Sequence, residues 1–122
     1  MSYLLVGIGG MLGSMVRHAV GSAALQLWPS IKFPFGTLAV NLLGCLLIGI
    51  LAGAIERLAV GNAEWRLFAV VGLLGGFTTF SAFGIETLTL LRSGHLGLAF
   101  GYVLASVLLG VALCALGLKL GN

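Results

Sequence analysis

Between Arg66 and Glu86 the chain carries no charged side chain, and the middle of that run reads Gly75-Gly76-Phe77-Thr78-Thr79-Phe80-Ser81-Ala82-Phe83. The run is long enough to cross a bilayer, whose hydrocarbon core takes about 20 apolar residues. Its centre nonetheless holds two adjacent glycines, three hydroxyls and three phenyl rings. Glycine costs roughly 1 kcal/mol per helical position relative to alanine, so the segment is expected to be poor at forming an uninterrupted helix. Non-helical backbone at membrane depth survives only where protein or a water-filled cavity receives its polar groups. The segment points to a polar structure built inside a membrane.

Two further runs are uncharged, residues 33–55 between Lys32 and Glu56 and residues 96–118 between His95 and Lys119. The first forty residues hold only Arg17 and Lys32. An all-α membrane protein is expected, a single unit over 1–122 with four transmembrane helices at about 3–27, 34–56, 66–92 and 96–119. Short connections are placed near Trp28–Pro34, Arg57–Glu64 and Arg92–His95. At 60% hydrophobic and 7% charged the chain cannot cover a soluble globule, where about 25% charge is usual. No cleavable signal peptide is expected, because no basic region precedes the first apolar run and three more spans follow. The net charge of +3 comes from six scattered basic residues with no stripe or patch. It reads as anchoring of helix ends to lipid head groups and not as a nucleic-acid footprint. Cys45 and Cys114 both fall inside spans and read as small apolar packing residues rather than as a disulfide or a metal pair.

An even number of spans puts both termini on one side, which collects Arg57, Arg66 and Lys119. The other side collects Lys32 and Arg92, with Arg17 added if it snorkels. A basic excess normally sets orientation, and here the two sides nearly balance. One reading is a single topology fixed by the insertion machinery. The other is dual topology, which permits an antiparallel homodimer related by an axis in the membrane plane, akin to the inverted repeats of larger transporters. Each span also has a Gly-x-x-x-Gly pair, Gly9/Gly13, Gly49/Gly53, Gly72/Gly76 and Gly97/Gly101. Such pairs let helix backbones approach closely in lipid.

Asn41 lies one or two turns into the second span, with Thr37 one turn earlier on the same face. Its spacing fits an interhelical hydrogen bond as well as a pore wall. Tyr102, Ser106, Gly110 and Cys114 recur every four residues in the fourth span, a pattern that by itself reads as a packing seam. Phe80 and Phe83 share a helical face and by spacing alone read as core or lipid-facing. Arg17 and Glu86 are functional candidates as ionisable groups in or near spans, yet both lie close enough to helix ends to snorkel, the reading favoured for Glu86. His18 and His95 lack metal-ligand partners at suitable spacing and read as interfacial. No nucleophile–base pair, phosphate loop or metal signature is present, so no enzyme site is expected.

Gly75-Gly76-Phe77-Thr78-Thr79-Phe80-Ser81, together with Gly9-Gly10-Met11-Leu12-Gly13 before Arg17 and the Gly36-Thr37…Asn41…Gly44 run, resembles the small bacterial fluoride channels of the Fluc (CrcB) family. The resemblance spans essentially the whole chain. Ala82 stands where the family often has threonine, and Gly110 where a further hydroxyl can continue the stripe of the fourth span. The resemblance implies a passive fluoride channel of the bacterial inner membrane. It implies an antiparallel homodimer with two pores, and a structural sodium ion at its axis held by the backbone carbonyls of Gly75 and Thr78 from each copy. It assigns Phe80 and Phe83 to the pore wall, where the positive ring edge meets the anion. Asn41, Thr79, Ser81, Tyr102 and Ser106 would donate hydrogen bonds, and Arg17 would stand in a vestibule. Conduction needs binding favourable enough for entry and weak enough for exit, which rings and neutral donors provide.

Two competing expectations remain. A small proton-coupled multidrug-type exporter would also have four spans and dual topology. It calls for a carboxylate deep in the membrane, and the first span has none. A non-transporting subunit packed through its glycines would leave the interruption at residues 75–81 without a purpose.

Overall fold

The computed structural model describes residues 1–29, 33–58 and 63–122, and within them four helices are long and apolar enough to cross a bilayer. We label the elements α1 (Ser2–Leu27), α2 (Phe35–Leu58), α3 (residues 63–77), α4 (Phe80–Arg92) and α5 (Leu96–Gly121). The third span is thus made of two helices, α3 and α4. Four spans and the interrupted third helix agree with the apolar runs. The connections expected near Trp28–Pro34 and Arg57–Glu64 fall partly on residues 30–32, including Lys32, and 59–62, which lie outside the described residues.

The turn between α4 and α5 follows from one glycine. Gly94 has φ +80°, a left-handed conformation that glycine adopts without a Cβ penalty. It lets the His95 amide donate to Leu90 O at 2.9 Å and the Gly94 amide to Leu91 O at 3.1 Å. These paired bonds satisfy carbonyls at the end of α4 and reverse the chain within two residues.

Little of the molecule is buried. Tyr102 and Val40 are the largest fully enclosed side chains, and large apolar side chains on every span point outward. Lipid removes the hydrophobic incentive for helices to associate, so backbone proximity has to hold the bundle. α1 packs against α3, α2 against the second half of α5, and α4 against the first half of α5. Glycines make the first two contacts. A Cβ at Gly76 would lie 2.6 Å from Gly10 O, and one at Gly13 would strike Leu73 O and stand 2.8 Å from the Phe77 amide nitrogen. Three of the four expected glycine pairs therefore sit in helix contacts. The exception is Gly97/Gly101, which has nothing within 4 Å; in α5 it is Gly117 and Gly121 that meet the backbone of α2. The spacing is the same in both places, and only the neighbouring helix distinguishes them.

Gly13→Ala should therefore destabilise the protein by about 1–3 kcal/mol through overpacking against backbone. Gly97→Ala should leave stability unchanged or slightly raised, since alanine is the better helix former. The loss of soluble, monodisperse protein on heating in detergent reads both variants.

Two stretches wind more widely than an α-helix, Leu67–Leu74 in α3 and Ala105–Leu109 in α5. Such π-type turns shift the faces of the helix on either side of them. In α5 the shift separates Tyr102, which meets α4, from Gly110 and Cys114, which meet α2.

Candidate functional site

The break in the third span lies at Thr78 and Thr79, not at the glycines. Gly75 is helical, with φ −61° and ψ −40°, and Gly76 and Phe77 continue the helix. Thr78 (φ −82°, ψ 159°) and Thr79 (φ −150°, ψ 122°) are both extended. The physical reason is that a weak helix former still stays helical where tertiary packing favours it, and close packing on α1 is what Gly76 supplies. Two β-branched residues take the extended form more readily. Thr79 then caps α4, its Oγ1 accepting from the Ala82 amide at 3.2 Å, in the manner of an N-cap hydroxyl. Thr78 keeps its own end tied to α3, its amide and Oγ1 each donating to Leu74 O at 3.0 Å.

Asn41 closes the break from α2. Its Nδ2 donates to Thr79 O and its Oδ1 accepts from the Thr79 amide, both at 2.8 Å. A side-chain amide here does what a neighbouring strand would do, pairing both backbone groups of one extended residue. Of the two roles that its spacing allowed, the interhelical bond is present, and Asn41 also lines the hollow described next.

These bonds change the accounting for nearby carbonyls. In an α-helix Gly75 O would receive the Thr79 amide and Thr78 O the Ala82 amide. The Thr79 amide is bound to Asn41 and the Ala82 amide to Thr79 Oγ1. Gly75 and Thr78 therefore present carbonyl oxygens without those helical partners, beside the break. Hard cations such as sodium take oxygen ligands of this kind, so the donor type fits the ion that the resemblance implies.

A cavity of about 400 Å³ opens beside the break, and Asn41, Thr78, Thr79, Phe80, Phe83 and Ser106 are among its walls. The Phe80 and Phe83 rings stand 5.6 Å apart, centroid to centroid, tilted by 44°. Phe80 is 83% exposed, so within one chain nothing covers it. Ser81 is exposed, its hydroxyl 3.4 Å from Thr79 Oγ1. It is not among the cavity walls.

Tyr102 departs from the role expected of it. It is fully buried, packs against Phe83 at 5.0 Å, and donates its hydroxyl to Glu86 Oε2 at 3.0 Å. The hydroxyl proton expected to face an anion is engaged with a carboxylate, so Tyr102 supports the Phe83 ring from behind. Glu86 also overturns the snorkelling expectation. Its Oε1 accepts from Thr37 Oγ1 at 2.6 Å, and the one carboxylate joins α2, α4 and α5. Sequence reading placed Glu86 near a helix end and missed this. The available signal was its depth, six residues before Arg92, or about 9 Å along the helix at 1.5 Å per residue.

Arg17 is half-buried in a second cleft of about 280 Å³, shared with Ser14, Thr37, Thr79 and Ala82. Thr79 thus stands between the cleft of Arg17 and the cavity of Phe80 and Phe83. Thr37 in turn links that cleft to a larger hollow of about 450 Å³ around His18, Trp28 and Glu86. The expected site residues therefore form one neighbourhood centred on the break, with Ser81 and Tyr102 at its margin.

Residues 4–118 match the family described as CrcB-like protein, Camphor Resistance (CrcB). The chain is 47% identical to the fluoride-specific ion channel FluC of Granulibacter bethesdensis, an alignment covering 98% of this chain and 94% of that one. It is 48% identical to the protein of the same name from Hyphomonas neptunium over 95% of this chain and 91% of that one. The corresponding protein of Methylobacillus flagellatus is 43% identical over 96% and 91%. A family match that runs nearly from end to end, on a chain whose apolar spans and helix break agree with it, leads to one conclusion: the chain belongs to the CrcB family.

Proposed function

We propose that this protein is a fluoride-selective channel, not an enzyme, of the bacterial inner membrane, and that it lets fluoride leave the cell passively. The observation that carries the reading is the cavity beside the helix break, where two phenyl rings and the polar groups of Asn41, Thr79 and Ser106 converge at membrane depth. Ring edges are weakly positive, and neutral donors can replace part of a hydration shell without holding the ion. Fluoride is compact and accepts hydrogen bonds strongly, so a narrow path of this composition favours it over chloride. The near end-to-end similarity to proteins named fluoride-specific ion channels supports the same ion.

Two copies pair antiparallel in this reading. The exposed Phe80 is then covered by the second copy, and the balanced basic residues allow insertion in both directions. The Gly75 and Thr78 carbonyls of each copy would hold a structural sodium ion at the axis, where its charge satisfies oxygens that lipid cannot. Arg17 concentrates anions at the mouth of its cleft, and Ser81 lies at the edge of the path.

Fluoride efflux from liposomes carrying the pure protein tests the proposal, followed with a fluoride electrode and with chloride measured in parallel. Fast fluoride release without chloride release, and without need of a proton gradient, is expected. Flux that requires a pH gradient would instead indicate a coupled exporter, and absence of flux would end the channel reading.

A further inference from the structure

The two cysteines meet in the fold, and nothing above gives them a task. Cys45 in α2 and Cys114 in α5 are free and half-buried. Their side chains come side by side where α2 and α5 pack. Backbone packing brings them together: a Cβ on Gly49 would strike the Cys114 carbonyl, and one on Gly110 would lie 3.3 Å from Cys45 Sγ. Each glycine is one helical turn from the cysteine on its own helix. Cys45 also lines the cavity that Asn41, Phe80, Phe83 and Ser106 share, so that hollow reaches one thiol of the pair, and the other lies behind it.

We propose that Cys45 and Cys114 form a two-thiolate site for a soft divalent cation of low coordination number, of the mercuric type, entered from the cavity beside the break, and that an ion held there obstructs the fluoride route. Thiolates are the metal-binding form of cysteine, and soft cations select sulfur over oxygen. On binding, each S–H bond breaks, the two protons leave to water, and two sulfur–metal bonds form without transfer of electrons. Two thiolates neutralise a dication, so the complex places no net charge in an apolar surrounding, where charge is costly. Zinc ordinarily requires four protein ligands in a structural site. Among the described residues no group of three or more His, Cys, Asp or Glu stands together, so the site should discriminate against it.

The full chain in liposomes, treated with mercuric nitrate alone, provides the test. Intact-protein mass should show one metal ion per chain with two protons lost, and both thiols should become unreactive to a maleimide. Fluoride efflux should fall to near the rate of protein-free vesicles and recover with excess dithiol. Cys114→Ser should weaken binding by about 100-fold or more, the avidity lost with the second ligand. The double variant Cys45→Ser/Cys114→Ser should bind nothing, and zinc should neither bind nor block. Two ions per chain, one thiol left reactive, or equal affinity in Cys114→Ser would overturn the site. The blocking half rests on the channel reading and the binding half does not. Protein that moves no fluoride yet binds one ion through both thiols sinks the channel and keeps the site. Normal efflux through protein that has bound the ion overturns its placement on the route.

Discussion

Replacing Asn41 with alanine should cost the protein both a firm helix break and its fluoride efflux. The amide makes two 2.8 Å bonds to the backbone of Thr79. Removing it leaves one N–H and one C=O unpaired at membrane depth, each worth about 1–3 kcal/mol when unsatisfied. The sum is a large share of the 5–15 kcal/mol by which domains are commonly stable. Water from the neighbouring cavity can recover part of it, and the Thr78–Thr79 geometry would then loosen. Heating in detergent followed by size-exclusion chromatography measures the loss, and liposome efflux measures the function. An alanine variant that melts and conducts like the parent would mean that something other than Asn41 holds the break.

Phe80→Ile and Phe83→Ile should each slow fluoride passage severely while the protein keeps its oligomeric state. Isoleucine keeps apolar bulk and removes the positive ring edge, so the variants separate electrostatics from packing. Loss of stabilisation on the order of 1.4 kcal/mol at the barrier slows passage about tenfold. The packing cost is small by comparison for Phe80, whose ring is 83% exposed within the chain. It is larger for Phe83, which touches both Phe80 and Tyr102. A Phe83→Ile protein should therefore melt earlier than a Phe80→Ile protein, by up to the 0.5–1.5 kcal/mol or so of an aromatic pair. Normal efflux from both variants would remove the rings from the pore wall.

Asn41 and Glu86 show why a site can be half legible. Each is conspicuous in the sequence because a polar or charged group inside an apolar run has to be satisfied by something. Which group satisfies it is a question about other helices. Asn41 meets a backbone 38 positions away, and Glu86 meets Thr37 from 49 positions away. Tyr102 misled for the same reason: its place in a polar stripe is local information, while its hydroxyl partner is not. The glycines misled in the opposite direction. Gly75 and Gly76 read as helix breakers from propensity, whereas Gly76 serves to admit Gly10 against α3.

Four membrane-crossing helices, with something polar built into the third, are legible in the order of residues alone. Length and absence of charge are properties of a single run, and they need no neighbour to take effect. The sequence also carries the run over residues 75–81 on which the resemblance to the family rests. The folded chain is needed to see that the break falls on Thr78–Thr79, that Asn41 clamps it, that Glu86 is held between α2 and α5, and that Cys45 packs beside Cys114. In lipid the hydrophobic effect ceases to choose between helix faces. Backbone proximity at glycines and the pairing of the few polar groups choose instead, and both depend on which helices the fold has made neighbours.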